Sequence, residues 1–188
     1  MLFRSNLKIA LSQRIIYYRG RAYDSIEHGW YNYLDGHTLY FLPNYTDQDF
    51  ERIADNIDLF IITGGDDIPL RRIPELRLAG IMMRRSMPVL GICHGCFLLT
   101  HTLGGIVQNK EGHYDTEHPI NYQGNWYPVN SYHTNYIYKL HDSAIPLATD
   151  DEGHCEAWID GTIAGVAWHP ERMERPWLPR EIQSLIRI

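Results

Sequence analysis

A cysteine set between two glycines, Gly91-Ile92-Cys93-His94-Gly95, closes the short apolar run from Pro88 to Ile92. The residues after it, Phe97-Leu98-Leu99-Thr100-His101-Thr102-Leu103, have helical spacing, and Gly104-Gly105 stop them. Strand, tight turn and helix with a nucleophile at the turn is the context of a nucleophile elbow. Small residues on either side of Cys93 let the backbone turn sharply and lift the side chain above the sheet edge. The N-terminal end of the following helix favours thiolate over thiol. The backbone N–H of His94 is placed to donate to a developing oxyanion. Taken alone, Cys93 also reads as a buried, inert cysteine at a strand end.

A cysteine nucleophile needs a base to take its proton and a third group to orient the base. His169 and Glu171 supply both from one extended segment, because residues i and i+2 of such a segment point the same way. Glu171 would fix the imidazole tautomer and stabilise the imidazolium. The chemistry implied is acyl transfer through a thioester. A second oxyanion donor is expected at Gly64-Gly65, where glycine allows close approach of a backbone amide to a carbonyl oxygen. Without these partners, His169 would read as a turn histidine after a core strand.

The rest of the chain must position these groups. Its 188 residues suit a single domain over 1–188 with a full core. A net charge of −6 leaves no basic footprint for nucleic acid. Three cysteines, Cys93, Cys96 and Cys155, are no disulfide scaffold and fit a reducing compartment. No run approaches the roughly 20 apolar residues of a membrane span, and Met1–Asn6 holds no apolar core of signal-peptide length. The expectation is a soluble cytoplasmic protein.

Strands are predicted at Leu7–Leu11, Thr38–Leu42, Asp58–Thr63 and Pro88–Ile92. Helices are predicted between them at Ser25–Leu34, Asp47–Asn56 and Pro74–Ser86, with a polar loop carrying Arg14, Arg19 and Arg21 after the first strand. This βαβαβαβα order argues a parallel sheet covered on both faces, with ligands at the carboxyl ends of its strands. Residues 105–135 read as loops and short strands, with Trp126–Asn130 a candidate strand running into Ser131-Tyr132-His133. A hairpin is predicted across Asp160-Gly161, joining Glu156–Ile159 to Ile163–Trp168, and a terminal helix from Leu178 to Ile188.

These motifs, in this order, resemble the class I, triad-type glutamine amidotransferases and the related γ-glutamyl hydrolases. Gly91-Ile92-Cys93-His94-Gly95 looks like their nucleophile elbow, and Gly165-Val166-Ala167-Trp168-His169-Pro170-Glu171 like their His-Pro-Glu motif. Ile62-Thr63-Gly64-Gly65-Asp66-Asp67 is similar to their oxyanion loop, and Val129-Asn130-Ser131-Tyr132-His133 to the segment that holds the glutamyl group. Glu156-Ala157 resembles the pair on the strand before the His-Pro-Glu hairpin, with weaker echoes at Leu11-Ser12-Gln13-Arg14 and Leu42-Pro43-Asn44. The resemblance covers most of the chain and implies a flavodoxin-like α/β fold, a mostly parallel sheet with helices on both faces.

It further implies a C–N hydrolase with a Cys93–His169–Glu171 triad. Gly65 and His94 would form the oxyanion hole, and Gly64, Phe97, Ser131, Tyr132 and His133 would bind substrate, with no cofactor or metal. Ser131-Tyr132-His133, Ser12-Gln13-Arg14 and His169-Pro170-Glu171-Arg172 place the chain nearest the small stand-alone hydrolases that release γ-glutamyl from a nucleotide-linked amidate. Two positions depart from the family pattern. Phe97 stands where a glutamine often holds the substrate glutamine, and His133-Thr134-Asn135 stands where the family often has His-x-Gln. Both count against free glutamine as substrate and leave the triad intact.

Other readings remain open at this point. With no synthetase domain in the chain, either a separate synthetase receives ammonia from it, or it is a hydrolase acting alone on a small γ-glutamyl compound. Cys93-His94-Gly95-Cys96 is also a C-x-x-C at a helix start, the arrangement of dithiol redox proteins. His113, Asp115, Glu117 and His118, with His133, His141 and His154, are residue types that zinc sites use, but in no ligand spacing that identifies one. Arg14, Arg19 and Arg21 suit a carboxylate or phosphate in a non-catalytic binding module, and equally a solvated loop.

Overall fold

A computed structural model describes residues 6–109 and 114–187. The chain runs β1 (Lys8–Ser12), β2 (Arg14–Tyr18), β3 (Arg21–Ser25), α1 (Gly29–Tyr33), β4 (Thr38–Leu42), α2 (Phe50–Ala54), β5 (Leu59–Ile62), α3 (Pro69–Arg84), β6 (Val89–Ile92) and α4 (His94–Thr102). It continues with β7 (Ile106–Asn109), β8 (Tyr114–Tyr122), β9 (Asn125–Tyr132), β10 (Asn135–Lys139), β11 (Ile145–Thr149), β12 (Cys155–Asp160) and β13 (Ile163–Val166). A single 3-10 turn (Pro170–Arg172) and α5 (Arg180–Ile186) complete it.

The centre of the sheet is parallel, in the order β4-β1-β5-β6-β13. Beyond β13 the sheet turns antiparallel through β12, β11, β8 and β9, and β10 pairs with both β12 and β7. The central strands are short, wholly apolar runs because both their faces are covered. Alternation sends Ile9, Leu11, Leu59, Ile61, Leu90 and Ile92 to one core, and Ala10, Phe60, Ile62 and Val89 to the other. Trp30, Leu34, Ile182 and Ile186 close the first core. Leu78 and Met82 of α3 and Leu99 of α4 close the second.

Several elements differ from expectation. Residues 14–25 form the antiparallel hairpin β2–β3 instead of a polar loop. Ser25 therefore ends a strand, and the first helix shrinks to Gly29–Tyr33. α3 starts at Pro69, which supplies the favoured proline of the first helical turn, so Pro74 lies inside the helix. The middle segment is more regular than its Tyr, His and Asn content suggests, since β8 and β9 pair over most of their length. The β12–β13 turn lies one residue later than expected, pairing Asp160 with Ile163.

Candidate active site

Three neighbouring strands, β5, β6 and β13, end at the same edge, and each delivers one part of the site. Cys93 follows β6 directly, with φ +49° and ψ −103°. That conformation is strained for a residue with a Cβ, and it is the mark of an elbow that aims a side chain out of the sheet. Two glycines make the turn sterically feasible. A Cβ on Gly91 would stand 2.4 Å from the Gly95 carbonyl, and one on Gly95 would stand 2.2 Å from the Ile62 carbonyl oxygen. α4 begins at His94, directly after Cys93.

β13 pairs in parallel with β6, with Val166 opposite Ile92, so the segment after β13 arrives beside Cys93. His169 is buried there, 1% exposed. Its Nδ1 and Glu171 Oε1 are 2.7 Å apart. Burial alone would lower the His169 pKa, but its interaction with Cys93 and the hydrogen bond and charge of Glu171 outweigh it. The net effect raises the ring from its ordinary 6.5 to about 9, so it is a held imidazolium near neutral pH.

The backbone of His169 is clamped at two points by Asn130 of β9. The His169 N–H donates to Asn130 Oδ1 at 2.8 Å, and Asn130 Nδ2 donates to the His169 carbonyl at 2.9 Å. Tyr132 stands edge-on to the imidazole with ring centroids 5.6 Å apart, and the Arg172 guanidinium lies over the Tyr132 ring at 4.4 Å. Arg172 forks onto Glu27 through hydrogen bonds of 2.8 and 2.7 Å, and Arg14 reaches the same carboxylate at 2.9 Å. Burial acts to raise the Glu27 pKa, but Arg172 and Arg14 hold it below the ordinary carboxylate value. Arg14 is thus a brace for the turn that carries Glu171. Arg19 and Arg21 lie exposed at the turn of the β2–β3 hairpin.

β5 ends in Thr63-Gly64-Gly65. Gly64 is packed under the His169 imidazole, where a Cβ would stand 2.2 Å from Cε1. Gly65 takes φ +123°, a conformation left to glycine. Gly65, Cys93, His94, Phe97, Tyr132 and His133 share a cleft of about 650 Å³. Ser131 is fully buried, and Gly64 lies beneath His169, so neither lines that cleft. Phe97 meets the His133 ring edge-on, with centroids 5.2 Å apart, and makes one wall apolar.

The alternative readings meet definite geometry. Cys96 is fully buried and belongs to the core opposite the one Cys93 joins. Burial, first, and the neighbouring Cys155 push its thiol well above the ordinary range. The histidines of the middle segment are not gathered into one site. His141 pairs with Asp160 at 3.0 Å and His154 with Asp150 at 3.1 Å, Asp115 and Glu117 are exposed, and His113 lies outside the described residues. His118 and His133 do converge on Glu156, each Nε2 standing 3.8 and 3.9 Å from its Oε2, and these three hold atoms that could ligate a cation. Among the described residues, no helix is long and apolar enough to cross a membrane.

The sequence points to the three central side chains and is silent on their supports. Asn130 reads there only as part of a glutamyl-holding segment. Arg71 and Glu75 of α3 belong to no motif, and because the predicted helix begins only at Pro74, their four-residue spacing close after a Gly-Gly turn is no helical signal.

The family model for glutamine amidotransferase class-I matches residues 22–186. The chain is 26% identical over 142 residues to the gamma-glutamyl-CDP-amidate hydrolase of Campylobacter jejuni, covering 70% of each chain. It is 24% identical over 177 residues to the glutamine amidotransferase-like protein YvdE of Lactococcus lactis, covering 72% of this chain and 75% of that one. Among solved structures, a GMP synthase component of Thermoplasma acidophilum superposes with a TM-score of 0.73 at 18% identity, over 96% of this chain and 92% of that one. A glutamine amidotransferase of Thermotoga maritima superposes with a TM-score of 0.68 at 15% identity, over 88% and 76%. These two likenesses establish the flavodoxin-like fold.

Proposed function

The chain belongs to the class I glutamine amidotransferase family, and from that premise we propose that it is a cysteine-dependent γ-glutamyl amide hydrolase that works through a thioester. The observation that carries the reading is the Cys93–His169–Glu171 alignment. A strained elbow presents the sulfur, the adjacent strand carries a buried imidazole to its side, and Glu171 holds Nδ1 of that imidazole at 2.7 Å.

Cys93 Sγ attacks the amide carbonyl, and the backbone amides of Gly65 and His94 receive the charge on its oxygen. The C–N bond then breaks as His169 gives its proton to the leaving nitrogen, which leaves a γ-glutamyl thioester on Cys93. Water, deprotonated by His169, attacks the thioester and releases glutamate and the cysteine sulfur. Glu171 keeps the ring in the required tautomer throughout. Phe97 offers the substrate no hydrogen bond, which favours a γ-glutamyl compound larger than glutamine, the class to which the Campylobacter relative's name points. We place the activity in the cytoplasm, where thiols stay reduced.

Glutamate release from a panel of γ-glutamyl amides, free glutamine included, tests the proposal. Turnover of larger amides with little turnover of glutamine is the expected pattern. Turnover of glutamine alone, with free ammonia, would instead make the chain the glutaminase partner of a separate synthetase. Phe97→Gln should raise kcat/KM for free glutamine about tenfold, the worth of one added hydrogen bond to a polar substrate. An unchanged ratio between glutamine and the larger amides would remove Phe97 from specificity. The pH profile is a further check. The leaving nitrogen needs the His169 proton, so kcat/KM should fall as pH rises through about 9, and Glu171→Gln should move that limb to lower pH.

A further inference from the structure

Behind the Gly64-Gly65 turn lies a fully buried charged network. Arg71 and Glu75 stand one helical turn apart on α3, both 0% exposed. Arg71 donates to Glu75 Oε1 from Nε at 3.1 Å and from Nη2 at 2.8 Å. The same guanidinium donates to the Thr63 carbonyl at 3.0 Å and to the Gly64 and Asp66 carbonyls at 3.3 Å each. The other oxygen of Glu75 lies 2.9 Å from His94 Nε2.

We infer that Glu75 is a positioning residue for the oxyanion hole, acting through Arg71 on the Gly65 donor and through His94 on the other; the inference rests on the hydrolase reading above. The geometry follows from the peptide unit. The Gly64 carbonyl points at Arg71, and a trans, planar peptide sends the Gly65 N–H of the same unit the opposite way. Gly65 lines the cleft with Cys93, so that N–H is presented away from the guanidinium that fixes it. His94 is the first residue of α4, and its backbone N–H has no partner within the helix. Anchoring its ring to Glu75 fixes the peptide that joins it to Cys93.

One carboxylate therefore ties together two loops from different strands. A buried ion pair adds little net stability over apolar residues of the same volume, but it holds every group it touches in one orientation. Burial opposes the charge on Glu75, yet His94, Arg71 and Ser12 keep its pKa below the ordinary carboxylate value.

The test compares wild type, Glu75→Gln and Glu75→Ala on L-γ-glutamyl-p-nitroanilide, with melting followed by circular dichroism. Alkylation of Cys93 by iodoacetamide, read by mass spectrometry of its peptide, is measured in parallel because it forms no oxyanion. Glu75→Ala should lower kcat about 100-fold, the scale of a lost oxyanion donor. KM and the alkylation rate should stay within about threefold, and Glu75→Gln should fall between wild type and Glu75→Ala. A folded variant with wild-type kcat would overturn the role. So would a loss of kcat matched by an equal loss of alkylation, which would move the effect to the Cys93–His169 pair. If neither variant folds, Glu75 is a folding residue and the role is withdrawn. Wild type that turns over no γ-glutamyl amide in the panel would overturn the hydrolase reading itself, a result visible before any variant is made.

Discussion

Cys93→Ala should abolish glutamate release, lowering kcat by about 10⁴-fold or more, and leave the fold intact. The magnitude follows from the division of labour in a triad, where losing the nucleophile costs nearly as much as losing the whole unit. The fold survives because Cys93 contributes a small side chain at a sheet edge, not the centre of either core. A second substitution separates the chemistry from the strain. Cys93→Gly is equally inactive, yet it should be more stable than Cys93→Ala by about 1 kcal/mol, because glycine accepts φ +49° without penalty. Melting of the two variants measures that difference. Residual turnover in Cys93→Ala above about 1% of wild type would require a different nucleophile.

Gly64→Ala should cost at least about 100-fold in kcat/KM while the protein stays folded. The added methyl would lie 2.2 Å from His169 Cε1, closer than any non-bonded pair tolerates. The backbone at Gly64 is outside the left-handed region, so alanine is conformationally acceptable there and the clash alone is tested. The imidazole cannot easily yield, since Asn130 holds its backbone and Glu171 holds its Nδ1. A displacement of about 1 Å at a reacting group is enough for a loss of that size. Wild-type activity in Gly64→Ala would mean that His169 is not where the reaction needs it.

The central groups were legible because each lies in a short motif read along the chain. Cys93 sits between two glycines after an apolar run, and His169 and Glu171 are two residues apart in one extended segment. The parallel centre was legible for a similar reason, since strands buried on both faces are continuous apolar runs. What escaped were contacts made across the fold. Glu75 reaches His94 over 19 residues, Asn130 reaches His169 over 39, and Arg172 reaches Glu27 over 145. No local periodicity encodes such pairs. The β2–β3 hairpin escaped because its strands are mostly exposed and lack a clean apolar alternation. Pro74 misled the helix boundary because proline favours a first turn, and Pro69 already occupied it.

The place of β13 beside β6 has a consequence for how such a site can change. The sulfur and the imidazole hang from adjacent strands joined rung by rung, so the distance between them is fixed by the backbone ladder. Part of the wall facing them comes from the antiparallel wing, where Tyr132 ends β9 and His133 follows it. The same wing also grips the imidazole, since Asn130 of β9 holds the His169 backbone, so the cleft wall and His169 are mechanically linked. Reshaping the wing beyond Tyr132 with Asn130 kept in place would admit a different leaving group and leave His169 held. The wing is at once a wall of the cleft and a clamp on His169.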